Sequence, residues 1–177
     1  RPRIDKALLE KYHEGLIISS ACLGGEICQK IMGGDIEGAE AAALWYKNLV
    51  GEDYYLEVMR HPAESAKERA EVYDNQVKCN AEILRMGEKL GIKVIATNDV
   101  HFLNAEDAEA HDLLICLNTR KDLDDPNRMR YTRQEWFKTT AEMEELFKDI
   151  PQVIENTQEI VDKVEDYKLD SDPLMPV

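Results

Sequence analysis

The sequence predicts an α/β fold with parallel strands. Three short apolar segments, at residues 16–21, 53–59 and 93–97, are each followed by a stretch whose apolar residues recur at helical spacing. This alternation of strand and helix is typical of parallel strands joined by right-handed crossovers. Because three strands are too few to close a barrel, we expect the chain to form part of a larger α/β barrel or sheet, followed by a small C-terminal helical segment.

The first helices are predicted from their caps and their apolar residues. A short helix over residues 5–12 uses Leu8 and Leu9 as its apolar contacts and ends before a glycine. After the first strand, a glycine turn at residues 22–26 starts a second helix, which runs to Ile31.

Longer helices flank the second and third strands. A helix over residues 36–50 follows a Gly-Gly-Asp cap. The helix from about residue 65 to residue 90 has one buried face, on which residues step by three and four. That face is formed by Val72, Gln76, Cys79, Ile83, Met86 and Leu90. Asn104, with Asp107 three residues later, caps a helix that continues to about Leu117.

The last third of the chain is predicted to contain a loop and two helices. Residues 118–133 are polar and form the loop, with a short extended piece at residues 129–131. Thr139 and Glu142 make a capping box for one helix, and Pro151 occupies the first turn of the other. The residues expected to face inward are Met143, Leu146, Phe147 and Ile150 in the first helix and Ile154, Thr157, Val161 and Val164 in the second.

The net charge of −14, from 22 basic and 36 acidic residues, argues against a protein that clamps nucleic acid by itself. Phosphate binding needs a basic face. The loop after residue 117 is a local exception, for which we expect at most a weak nucleic-acid contact. Its basic residues are Arg120, Lys121, Arg128, Arg130 and Arg133. No apolar run approaches the roughly 20 residues that span a bilayer, so we expect no membrane partner.

The cysteines indicate a reducing compartment. Cys22, Cys28, Cys79 and Cys116 lack CxxC spacing, a pattern typical of reduced thiols. Since no secretory signal is present either, a cytoplasmic location is favoured. The sequence starts without Met, at Arg-Pro-Arg-Ile-Asp, and we therefore expect a fragment of a longer protein.

Polar residues after the strands predict a metal site. Asp99 and His101 follow the third strand, and in extended backbone their side chains would point the same way. A carboxylate and an imidazole that face one point make half of a divalent-metal site. Cys22 follows the first strand, and because parallel strands end at the same edge, its thiolate is a candidate third ligand. The alternative is structural: Asp99 caps a turn, His101 bonds a carbonyl, and Cys22 is a core residue.

A second polar cluster, formed by Glu57, Arg60 and His61, ends the second strand. His61 precedes a proline, which holds it in extended backbone at the strand exit. We expect Arg60 and His61 on the rim of the site, where either would steady a phosphate, rather than as direct metal ligands. His13 and His111 are expected to be structural.

Several phrases of the sequence form a series that runs through nearly the whole chain. They are RPRID (1–5), GLIISSACLGGEI (15–27), YLEVMRH (55–61), ATNDVHFL (96–103), DAEAHD (107–112), and Glu142-Met143 with Leu146, Phe147, Pro151 and residues 155–157. In this order they resemble the alpha subunits of bacterial DNA polymerase III, which are replicative C-family polymerases.

The resemblance implies the C-terminal part of a PHP (polymerase and histidinol phosphatase) domain and its connection towards the polymerase palm. The PHP fold is an irregular (β/α)7 barrel with metal sites at the carboxyl ends of its strands. The implied divisions are a PHP part at residues 1–118, a loop and two-helix segment at 119–169, and a linker towards the palm at 170–177. Carried over by motif, Cys22, Asp99 and His101 would be metal ligands. The family's early His-x-His motif and its palm carboxylates are not in this sequence, so neither a complete metal cluster nor a polymerase centre is expected in it.

The function implied for the parent is DNA-directed DNA synthesis from deoxynucleoside triphosphates with Mg²⁺. It would act together with other replicase subunits, including a proofreading exonuclease and a sliding clamp. The PHP part would hold Zn²⁺ or Mn²⁺ and either act as a 3′→5′ exonuclease or have a structural role, and the fragment alone is expected to be inactive. Two alternatives stay open at this point: a stand-alone phosphoesterase of the histidinol phosphatase type, and a non-catalytic scaffold that binds a proofreading subunit.

Overall fold

A parallel sheet forms the centre of the protein in the computed structural model, which describes residues 3–168. Over these residues the strands are β1 (Ile18–Ser19), β2 (Tyr54–Val58) and β3 (Val94–Ala96), in the order β1-β2-β3. The predicted parallel α/β arrangement is therefore confirmed. The strands are shorter than predicted, because Ala21 turns the chain away with a φ of 62° and residues 51–53 form a 3-10 turn.

The helices follow the predicted order. Within residues 3–168 they are α1 (Lys6–Tyr12), α2 (Glu26–Met32), α3 (Ile36–Val50), α4 (Ala66–Glu68), α5 (Asp74–Leu90), α6 (Ala108–Thr119), α7 (Thr140–Leu146) and α8 (Gln152–Lys163). A π-helical turn over Arg69–Tyr73 joins α4 to α5, and a 3-10 turn over Ala105–Asp107 precedes α6. The capping boxes predicted at Asn104 and Thr139 are both present. The linker predicted for residues 170–177 lies outside the described residues.

The core packs against both faces of β2, all of whose residues are buried. On one face Tyr54, Leu56 and Val58 join a cluster with apolar side chains of α2, α3 and α5. The other face carries Tyr55 and Glu57. Since both faces are covered, β2 has the nearly continuous apolar composition of a strand inside a parallel sheet, and Glu57 is its one charged residue.

Helix α8 packs on the sheet differently from the prediction. Val153 is buried, whereas Val161 is 64% exposed and Val164 is exposed as well, so their predicted inward orientation is wrong. Polar contacts set the orientation of α8 instead: the Asn156 side chain donates to a carbonyl of β3 at 2.8 Å, and Glu159 accepts from the Tyr55 hydroxyl at 2.9 Å.

Two smaller predictions also need correction. Helix α1 has no buried residue, and Leu8 is 42% exposed rather than an apolar contact. Residues 129–131 form no strand; an isolated bridge pairs Phe102 with Trp136 instead. No helix within residues 3–168 is long and apolar enough to cross a bilayer.

Candidate metal centre

A buried carboxylate joins the carboxyl ends of the strands. Glu57 of β2 is 8% exposed and accepts hydrogen bonds from the Ala21 N–H at 3.0 Å, the Thr97 hydroxyl at 2.6 Å and the Ser19 hydroxyl. Of these donors, Ser19 belongs to β1, Ala21 leads into the turn after β1, and Thr97 directly follows β3. Glu57 therefore fixes the relative positions of the three strand ends, a role that the sequence analysis did not assign to it.

Asp99 and His101 lie beyond β3, and the backbone at Asp99 is not extended. Asp99 has a φ of 45°, in the left-handed region, so the strand alternation that predicted a shared direction does not apply. The turn nevertheless brings the two residues together. The Nδ1 atom of His101 lies 4.0 Å from Oδ1 of Asp99 and 2.6 Å from the Asp99 carbonyl oxygen.

The ring of His101 has the orientation of a metal-binding histidine. A carbonyl oxygen only accepts, so Nδ1 of His101 carries a proton and donates it to Asp99, which leaves the lone pair on Nε2. The Tyr131 hydroxyl donates to this Nε2 at 3.1 Å. Metal-binding histidines commonly donate their other ring N–H to a carbonyl in the same way. Nε2 therefore suits a metal ion, which would take the place of the Tyr131 hydroxyl.

Burial raises the pKa of Tyr131, and the nearby carboxylates of Asp99 and Glu135 raise it further. The phenol is therefore neutral at pH 7 and is a donor to His101.

A buried network supports the turn from inside. His61 is 3% exposed: its Nε2 donates to the Asn98 carbonyl at 3.0 Å, and its Nδ1 accepts from the Gln76 amide at 2.9 Å. Burial lowers the pKa of His61, so the ring is neutral at pH 7. His61 thus lies beneath the site, where it positions the residue before Asp99.

Glu135 belongs to the same network and was not found by the sequence analysis. It is 2% exposed; its Oε1 accepts from the Thr132 hydroxyl at 2.7 Å and lies 3.6 Å from Nδ1 of His61. Its Oε2 is buried with no hydrogen-bond partner within residues 3–168. Its carbonyl accepts from the N–H of His101 at 2.7 Å. Glu135 lies in irregular backbone, so no periodic pattern could have indicated its burial.

Arg60 is held by protein groups. Its guanidinium donates to both carboxylate oxygens of Asp149 and, at 2.8 Å, to the Leu146 carbonyl, while it lies 4.8 Å from the centre of the Phe147 ring. The guanidinium lowers the pKa of Asp149 to about 2. Arg60 therefore joins the end of β2 to α7, and a phosphate would have to compete with Asp149 for it.

Cys22 lies in the tight turn after β1. A Cβ on Gly25 would come within 2.3 Å of the Ser20 carbonyl oxygen, so this turn requires glycine. Cys22 is half-buried and lines a small cavity together with Glu57 and Cys79. Within residues 3–168, no group of three His, Cys, Asp or Glu side chains is arranged to hold a metal ion. Because a divalent ion needs four or more donors, the Asp99–His101 pair fits a contribution to a metal centre and not a complete one.

Comparison with known proteins defines the class of this chain. Residues 1–61 match the PHP domain. With the parallel sheet described above, this match confirms the expected α/β fold of a partial PHP-type barrel.

The similarity to one group of proteins extends over nearly the whole chain. Over 99% of its own length, this chain is 39% identical to DNA polymerase III subunit alpha of Borreliella burgdorferi. Over 92% of its length, it is 43% identical to the corresponding subunit of Campylobacter jejuni. The Treponema pallidum protein is 33% identical over the full chain. The chain spans only 14–15% of the length of these relatives. The resemblance to DNA polymerase III alpha subunits is thus confirmed, and the chain corresponds to their PHP region.

Proposed function

We propose that this chain supplies part of a divalent-metal centre in the PHP region of a replicative DNA polymerase. Asp99 and His101 are the proposed ligands. Cys22 is proposed as a further donor of the complete centre, although within residues 3–168 it does not form one group with them. The observation that carries the proposal is the pair of contacts made by the His101 ring: Nδ1 faces the carbonyl oxygen of Asp99 at 2.6 Å, and Nε2 faces the hydroxyl of Tyr131 at 3.1 Å. The carboxylate of Asp99 lies on the Nδ1 side of the ring, 4.0 Å from that nitrogen. The remaining ligands come from outside the described residues.

The proposed chemistry of the complete centre is 3′→5′ exonuclease action on DNA. A bound Zn²⁺ or Mn²⁺ would lower the pKa of a water molecule and neutralise charge on a phosphodiester. The residues of this chain hold and orient the ligands: Asp99 and His101 provide the donors, Glu57 fixes the strand ends, and His61 positions the turn before Asp99.

The wider setting follows from the relatives. We propose that the parent protein extends DNA from deoxynucleoside triphosphates with Mg²⁺ at a palm site and works with a proofreading exonuclease and a sliding clamp. A cytoplasmic location fits the four cysteines of the chain, all of which are reduced in the structure. On this proposal the chain alone has no polymerase activity.

The test uses the full-length alpha subunit that contains this segment, with its polymerase site inactivated by mutation. Degradation of 5′-labelled single-stranded DNA is followed with Mn²⁺ or Zn²⁺. Loss of a ligand in Asp99→Ala should slow the reaction at least tenfold, whereas His13→Ala, which changes the half-buried histidine that follows α1, should not. Unchanged nuclease activity in Asp99→Ala would refute the assignment and favour a scaffold role.

A further inference from the structure

A small cleft between α6 and the loop that follows it is lined by basic and aromatic side chains. Its volume is about 60 Å³. The side chains that matter here are those of Arg128, Arg130, Arg133, His111, Tyr131 and Phe102. Two carboxylates, those of Glu68 and Asp112, also line the cleft, so its three arginines leave a small positive balance on a chain whose net charge is −14.

One of the three arginines, Arg128, is paired within the protein and stabilises the fold. Arg128 is 9% exposed and binds both carboxylate oxygens of Asp112 on α6, at 2.5 and 2.7 Å. It also donates to the Leu123 carbonyl at 2.9 Å. A buried guanidinium that is paired in this way stabilises the wall of the cleft, and most of its donors are used.

The other two arginines keep unused donors. Arg130 reaches only the Leu123 carbonyl, at 3.4 Å, and no side-chain hydrogen bond or ion pair of Arg133 is found within residues 3–168. Both lie close enough to Asp112 to contribute to its lowered pKa, after the hydrogen bond from Arg128. Two guanidinium groups with free N–H donors thus face one cleft, and guanidinium groups suit phosphate oxygens by charge and by shape.

The cleft borders the Asp99–His101 pair. The ring of Tyr131 lies 4.6 Å from that of His101, and the ring of His111 lies 5.7 Å from it, centre to centre. A phosphate in the cleft would therefore lie one side chain away from the candidate metal ligands. The aromatic lining, which includes Phe102, suits nucleobases of any sequence, because every base has a face that stacks.

We propose that this cleft binds a backbone phosphate of a single-stranded nucleic acid, next to the phosphodiester presented to Asp99 and His101. The proposal rests on the proposed function for the identity of the neighbouring site. Phosphate binding by Arg130 and Arg133 needs no metal, however, so it can be measured separately. An acidic chain with one such cleft should contact few phosphates, and its affinity should depend only weakly on salt.

The test is the binding of this chain to a fluorescein-labelled oligo(dT), measured by anisotropy in EDTA over a series of salt concentrations. For two phosphate contacts, a plot of log K against log[salt] should have a slope of about −1.4, since each contact on a single strand contributes about −0.7. Arg133→Gln should reduce the slope to about −0.7, and Arg130→Gln/Arg133→Gln should bring it near zero. Arg133→Lys should keep the original slope.

The control is Arg120→Gln, which removes a basic residue of the same loop that does not line the cleft. Its slope should equal that of the unaltered chain. An oligo(dT) affinity and slope unchanged in the double variant would overturn the proposal. Binding of inorganic phosphate to the double variant can be measured by ³¹P NMR. If that binding is weakened while oligo(dT) binding is unaffected, the cleft is a site for free phosphate and the proposal is overturned.

A variant of the neighbouring site separates the two proposals. In EDTA, Arg130→Gln/Arg133→Gln should remove the oligo(dT) slope equally in the unaltered chain and in an Asp99→Asn background, because no metal takes part. Suppose that metal binding by the parent protein does not depend on Asp99, while the arginine variants lose the salt dependence of oligo(dT) binding. The cleft is then a phosphate site and the assignment of Asp99 as a metal ligand is wrong. A lost slope in Asp99→Asn would overturn the cleft as an independent site.

Discussion

Two polar clusters at the carboxyl ends of the strands differ in how completely their hydrogen bonds are made. The carboxylate of Glu57 is buried and accepts from three donors. The Asp99–His101 pair is partly exposed, and among residues 3–168 Nε2 of His101 accepts only from the hydroxyl of Tyr131. The first cluster is a closed network that holds the strands, whereas the second has donor atoms that a ligand can take over.

The comparison shows how a fold separates structural from functional polar groups. A buried polar group without a partner costs free energy, so groups that only hold the fold are fully paired. A side chain that binds a ligand has to exchange hydrogen-bond partners. It therefore lies where water or a hydroxyl group can occupy the ligand position when no ligand is bound. His61 and Glu135 lie between these extremes, since they are buried but support the turn that carries Asp99.

The largest expected effect comes from the closed cluster. Glu57→Ala would leave the Ala21 N–H and two hydroxyls without their acceptor, and we expect a loss of about 3 kcal/mol in the free energy of unfolding. Urea denaturation of this chain measures it, with the exposed Glu64→Ala as a control that should change stability little. A loss below about 1 kcal/mol in Glu57→Ala would mean that the network is not closed.

The next effect is the pH dependence of the stabilisation that the buried His61 gives to the turn before Asp99. The pKa of His61 is lowered in the folded state by burial, so the unfolded chain binds more protons as the pH falls below about 6.5. Stability that His61 contributes at pH 7 should therefore be lost on acidification, with a slope of at most about 1.4 kcal/mol per pH unit.

Unfolding curves of the unaltered chain and of His61→Gln between pH 7.5 and 5 test this expectation. The variant should be less stable at pH 7.5 and should lack that part of the slope, because no ring remains to be protonated. His13→Gln, at a half-buried histidine that follows α1 and lies outside this network, is the matched control. Equal slopes in the unaltered chain and His61→Gln would contradict the buried, neutral assignment.

A smaller effect is expected where Arg60 joins β2 to α7. Asp149→Asn keeps the shape of the side chain but removes its charge, and because Asp149 is 60% exposed, we expect a stability loss of at most about 1 kcal/mol. Thermal unfolding at low ionic strength measures it, with Lys148→Gln, an exposed neighbour, for comparison. If Arg60 serves chiefly to bind a phosphate, Asp149→Asn should raise phosphate affinity and leave stability unchanged.

The smallest effect tests the open cluster. Tyr131→Phe removes the hydroxyl that occupies Nε2 of His101 and leaves the ring in place, so a metal ion no longer has to displace it. We expect Co²⁺ to bind the full-length alpha subunit about threefold more tightly, a change of about 0.7 kcal/mol. Absorption titration gives the affinity, and Tyr12→Phe serves as the control. Weaker binding in Tyr131→Phe would show that Tyr131 supports the site rather than competing for it.

The sequence allowed the parallel order of the strands, most helix ends and both capping boxes to be predicted, because local spacing determines them. It did not show the orientation of α8, which depends on hydrogen bonds of Asn156 and Glu159 to the distant sheet. Asp99 and His101 were named for a reason that does not hold, since a left-handed residue and not a strand brings them together. Glu135 was missed because its burial depends on contacts with His61 and Thr132 rather than on any local pattern.

The metal content of the purified full-length alpha subunit decides whether Asp99 and His101 bind metal. Elemental analysis should find Zn²⁺ or Mn²⁺ in stoichiometric amount in the unaltered protein. The variant Asp99→Ala/His101→Ala should lose at least one ion per chain while its circular dichroism stays the same. The same metal content in both proteins would contradict the account.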